Sequence, residues 1–130
     1  VCLIALKDIL GVGRNMQVED FVWMVRDFGE RPSALHISAK HLFVGGWDGC
    51  LTCWDIEGEK KWSAQLPDRV QEIEYNDNHV YVASGLYVVC ITADEGELMW
   101  EVETEGSADA LVVDPKNNLV LATSSVCPSK

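Results

Sequence analysis

The residues best suited to chemistry in this chain are Cys50 and Cys53, which form a C-x-x-C, and the histidines His36, His41 and His79. A C-x-x-C offers two soft thiolates to a metal or a redox partner, but only when both sulfurs reach the same point. On a β-strand, residues three apart face opposite sides, so this pair could share an ion only across a bulge. No second C-x-x-C is present, and free cysteine is commonly a small buried hydrophobe, so packing is the expected role. His41 and His79 each stand just ahead of an apolar run and are expected as turn residues, while His36 stands alone. The acidic stretches Glu57-Gly58-Glu59 and Asp94-Glu95-Gly96-Glu97 lack the alternating oxygen ligands of a calcium loop and read as solvated hairpin tips. Gly11-Val12-Gly13 has neither the third glycine nor the helix of a dinucleotide fingerprint, and no phosphate loop or nucleophile elbow occurs. The expected catalytic, cofactor and metal sets are therefore empty.

Composition narrows the partners. Ten basic against twenty-one acidic residues give a net charge of −11, which disfavours nucleic acid and anionic membrane surfaces as partners. A hydrophobic content of 48% in 130 residues supports one folded core. Five cysteines without a signal-peptide pattern fit a reducing cytoplasm better than a disulfide framework; a periplasmic or extracellular location is the alternative if a leader has been removed. The first residue is Val1 and the chain stops at a short polar tail, from which a piece of a longer protein is expected.

The elements that must position any site come from a repeat. Trp23, Trp62 and Trp100 are separated by 39 and then 38 residues. Leu3 to Trp23, Leu42 to Trp62 and Val80 to Trp100 align as copies of equal length without gaps, and a fourth copy starts at Leu119. Each period holds four short strand-forming runs divided by turn residues. In the second unit these are roughly Ala34 to Ser38, Leu42 to Gly45, Cys50 to Asp55 and Lys61 to Gln65, the inner, second, third and outer strands. Val18 to Phe28 also has helical spacing, but the phase of Trp23 with the other two tryptophans argues for a strand. Four strands in about 40 residues make a propeller blade. The expected fold is all-β, with about three blades of four antiparallel strands in an open or incomplete ring, in units of about 1–32, 33–69, 70–107 and 108–130. The strands sum to thirteen: three, four, four and two.

Cys53 to Trp62 and Cys90 to Trp100 resemble the tryptophan-docking motif of pyrroloquinoline-quinone-type propeller repeats, in which a small residue, an acidic turn with Gly and a closing Trp recur in each blade. The first copy departs from it, with Glu19 in place of the turn glycine. Gly45 to Asp55 is more weakly similar to tryptophan-aspartate repeats, whose usual Gly-His pair is missing. The resemblance implies that Trp23, Trp62 and Trp100, with Gly58 and Gly96, dock one blade on the next. It also raises a quinone-dependent dehydrogenase as an alternative, although the adjacent cysteine pair of those enzymes is absent here.

With no catalytic set, one propeller face remains. The loops there hold Lys7 and Asp8, Arg31, Trp47 and Asp48, Asp68 and Arg69, and Leu86 and Tyr87. An aromatic beside arginines has the composition of an interaction hot spot. Trp47, Asp48, Arg69, Arg31 and Tyr87 form the candidate interaction face, with Trp47 at its centre; the competing role for Trp47 is to cover the blade edge. The expected function is a non-catalytic module for a protein or peptide partner, or a scaffold, with further blades supplied by a longer chain or by self-assembly.

Overall fold

The computed structural model describes residues 2–6, 22–29 and 31–125, with the first two strands described by backbone alone. The described residues form strands and turns without helix. They comprise β1 (Cys2–Leu6), β2 (Val22–Asp27), β3 (Pro32–Ile37), β4 (His41–Gly46), β5 (Cys50–Asp55), β6 (Lys60–Gln65), β7 (Val70–Asn76), β8 (His79–Ser84), β9 (Tyr87–Thr92), β10 (Leu98–Glu103), β11 (Ser107–Asp114) and β12 (Leu119–Ser125). β3-β4-β5-β6 and β7-β8-β9-β10 are two complete antiparallel meanders, each in chain order. β11-β12 is a half blade, and β1-β2 a separate pair. The sheets are propeller blades in an arrangement that does not close into a ring.

Alternation along the strands distributes the core over successive interfaces. β4 is buried along its whole length, because its odd and even residues face different neighbours. Phe43 joins Leu51, Cys53, Ile73, Val80, Val82, Val89 and Ile91 between the two complete blades. Leu42, Val44 and Trp54 face the other way, against Phe28. Ala83, Val88, Ala108 and Leu111 fill the space between the second blade and the half blade. Gly45 lies directly against the Val70 side chain: an added Cβ would sit 2.2 Å from Val70 Cγ1, so β4 admits no side chain at that point.

Three expectations change. First, β1 pairs directly with β2, Leu6 opposite Val22 and Cys2 opposite Asp27. If β1 is the second strand of its blade, the strand carrying Trp23 holds the third-strand place, unlike the strands of Trp62 and Trp100, which lie one position further out. The third strand expected before it lies outside the described residues, as does the side chain of Trp23. The helical alternative fails over Val22–Asp27, where the chain is extended. Second, the equal length of the second and third copies is a cancellation. The turn after β4 spans Trp47 to Gly49, against Gly85 and Leu86 after β8; the next turn is Ile56 to Glu59, against Ala93 to Glu97. The third strands are therefore offset by 37 residues while those on either side keep 38, which puts Cys53 and Cys90 in register with each other, opposite Trp62 and Trp100. Third, His41 and His79 are the first residues of β4 and β8 rather than turn residues. His41 is buried, stacked on Phe43 at 5.5 Å between ring centroids, with Nε2 3.5 Å from Asp94 Oδ1 of the next blade.

Candidate functional site

The inner strands β3, β7 and β11 each skip one residue in pairing with the second strand: Ser33, Gln71 and Asp109, spaced by 38 residues. A bulge re-aims its side chain and bends its strand, and all three bulge residues line one cleft of about 440 Å³ with Pro32, Trp47, Arg69 and Val70. A smaller neighbouring cleft of about 230 Å³ shares Trp47, Arg69 and Gln71, and adds Asp68, Gly85 and Ser107. Hydrogen bonds run from one inner strand to the next. The Ser33 hydroxyl donates to the Val70 carbonyl, and Gln71 Nε2 donates to Ser107 Oγ at 3.1 Å. Gln71 Oε1 is shielded from solvent and, among the described residues, has no donor.

At the mouth, Arg31 and Arg69 occupy equivalent places one 38-residue period apart. Both guanidiniums lie over the indole of Trp47, at 4.6 and 4.3 Å from the ring centroid. The Trp47 N–H donates to the Arg31 carbonyl at 3.0 Å, which ties the turn after β4 to the strand entering the blade. Each cation over the ring contributes about 0.5–1 kcal/mol at an exposed site. The indole remains 43% exposed, and among the described residues neither arginine has a carboxylate within ion-pair distance. Trp47, Arg31 and Arg69 thus meet in one place.

Asp48 and Tyr87 stand apart from that cluster. Asp48 holds its own turn, its Oδ1 accepting from the Cys50 N–H at 2.9 Å and its carbonyl from Gln65 Nε2 at 2.8 Å. Tyr87 opens β9, opposite Ser84, and packs on the main core cluster. Lys7 and Asp8 lie outside the described residues. The bulge residues Ser33, Gln71 and Asp109 escaped the sequence reading, although a polar residue beside a buried apolar one at the repeat spacing, as in Val70-Gln71 and Ala108-Asp109, is a visible signal.

The remaining candidates for chemistry are occupied structurally. Cys50 to Cys53 pair without interruption with Gln65 to Trp62, so the two thiols face opposite sides of β5. Burial pushes the Cys53 thiol up to about 12 and raises that of Cys90. Among the described residues, no three His, Cys, Asp or Glu side chains gather as a metal set. Asp55 spends its carboxylate on its own hairpin, accepting from the Glu57 and Glu59 N–H groups at 2.9 and 3.0 Å.

The docking geometry is explicit at Trp62. Its Nε1 donates to the Ala93 carbonyl in the next blade at 2.7 Å. The indole lies so close to Gly96, which has φ +73°, that a Cβ there would fall 2.5 Å from Trp62 Cδ2.

A protein of known structure with the same arrangement is BamB from Moraxella catarrhalis, with a TM-score of 0.65 and 17% identity over 73% of this chain and 32% of that one. Apo AztD from Citrobacter koseri is similar at a TM-score of 0.59 and 22% identity, over 68% of this chain and 27% of AztD. The chain thus spans 27–32% of the length of these proteins, and at such identities the likeness is one of fold. No curated protein matches the sequence. A family model described as outer membrane protein assembly factor BamB matches residues 16–126. The chain belongs to that family of quinone-type propeller repeats.

Proposed function

We propose that this chain is a non-catalytic protein-interaction module whose docking face is the mouth of the inner-strand cleft, centred on Trp47 between Arg31 and Arg69. The observation that carries this reading is the half-exposed indole with two guanidiniums over it. An aromatic and arginines held in place at low entropy cost have the composition of a binding hot spot. The family description names an assembly factor, which favours a module over the dehydrogenase alternative.

The same description concerns the outer membrane, so we place the protein in the cell envelope and not in the cytoplasm suggested by the cysteine content. Among the described residues no helix is long and apolar enough to cross a membrane. The further blades are assigned to a longer chain.

Replacing Trp47 by Ser and Arg69 by Gln in the full-length protein is expected to weaken partner capture while leaving the circular-dichroism spectrum and melting temperature near those of the parent. An unchanged capture profile would count against this face.

A further inference from the structure

Resting on the interaction reading above, we infer that the occupant of the cleft is an extended acidic segment of a partner protein, its carboxylates held by Arg31 and Arg69. Two observations converge on this chemistry.

The first is charge. In a chain with a net charge of −11, two arginines one blade apart are brought to one indole. Carboxylates are plentiful, yet among the described residues the one Lys or Arg ion pair joins Lys61 to Asp55 and leaves both arginines out. Contact with Trp47 holds each guanidinium at the mouth of the cleft, and the guanidinium fork suits a planar carboxylate.

The second is shape. The two clefts share Trp47, Arg69 and Gln71 and run across the starts of successive inner strands. This forms a track from one blade to the next, suited to an extended chain. Asp68 and Asp109 also line it. A second, cationic position along the bound segment would meet them, and a uniformly anionic polymer would be repelled there.

The test measures fluorescence anisotropy of a short fluorescein-labelled peptide with two Glu residues at alternate positions followed by one Lys, and Leu between them, on the full-length protein, against the same peptide with Gln for Glu. The Glu peptide is expected to bind at least about tenfold more tightly, about 1.4 kcal/mol, and to weaken as salt is raised. R31Q/R69Q should abolish the preference, while R31K/R69K should restore part of it through charge without the planar fork. Equal affinities for the two peptides, or a preference that survives R31Q/R69Q in a protein with unchanged circular dichroism, would overturn the acidic occupant. The interaction face would still stand if Trp47→Ser abolished partner capture. Full displacement of the peptide by an equal concentration of free glutamate would also overturn the proposal, by showing that a single small carboxylate suffices.

Discussion

Trp62 on the outer strand of one blade is joined to Ala93 in the next by an indole N–H to carbonyl hydrogen bond of 2.7 Å. The same indole pairs within its own blade with Phe43 at 6.2 Å, a contact repeated one period later by Trp100 and Tyr81 at 6.0 Å. The intra-blade pair is thus present in both units, while among the described residues only Trp62 also has its acceptor in a following blade. The difference appears in exposure: Trp62 is half-buried, and Trp100 is 39% exposed.

Substitutions should therefore separate the two tryptophans. Trp62→Ala is expected to cost about 3 kcal/mol in urea unfolding, from lost burial and a cavity. Trp62→Phe should cost about 1 kcal/mol, from the lost hydrogen bond. Trp100→Ala should cost no more than about 1 kcal/mol, since less of that side chain leaves water. Equal losses at the two alanine variants would contradict the docking account.

Gly96→Ala tests the same contact from the other side. The residue has φ +73°, and the new methyl would meet the face of Trp62 at 2.5 Å. Backbone strain of about 1–2 kcal/mol adds to that steric conflict. A loss of about 2–4 kcal/mol is expected, and combining the change with Trp62→Ala should cost less than the sum, because the clash goes with the indole.

Iodoacetamide labelling at mildly alkaline pH, followed by peptide mapping, should rank the three described thiols. Cys50 is partly exposed, whereas Cys53 and Cys90 are buried, with their thiols pushed up by that burial. The thiolate is the reacting form, so Cys50 should be modified in the native protein and the other two only on unfolding. Matching rates at Cys50 and Cys53 would indicate a reactive pair instead of two strand residues facing apart.

The hairpin carboxylate Asp55 should contribute an acid-sensitive increment to stability. Hydrogen bonds from its own turn, that of Glu59 first, hold it below its ordinary value of 3.8. A carboxylate depressed in the folded state adds stability above its unfolded value, and this is lost as pH falls through the folded one. The advantage of the parent over Asp55→Asn in urea midpoint should therefore be present at pH 7, shrink below about pH 4 and vanish at the acid end. A constant difference across that range would contradict the assignment.

Much of this architecture was legible from particular residues. Trp62, Trp100, Gly58 and Gly96 gave the period and the hairpin turns, because a large flat side chain and a left-handed turn each restrict what can stand at a position. The cancelling turn lengths around the third strand were hidden, since one residue fewer before it and one more after it leave the total unchanged. His41 read as a turn residue because its neighbours are polar; its burial depends on Phe43 and on Asp94 of another blade, which no local pattern records. At the candidate site, the types of Trp47, Arg31 and Arg69 were informative. Their meeting at one ring required the blades to be stacked, and the bulges at Ser33, Gln71 and Asp109 were visible only in the pairing register.

The most direct test of the interaction reading is site-specific photocrosslinking of the full-length protein in cells, with benzoylphenylalanine placed at Asp109, an exposed residue that lines the cleft with Trp47, or, as a control, at Glu57 on an exposed outer turn. Crosslinked adducts from position 109 that disappear in the R31Q/R69Q background, with none from position 57, are the predicted result. Adducts from position 57 alone, or adducts from position 109 that persist without the two arginines, would contradict it.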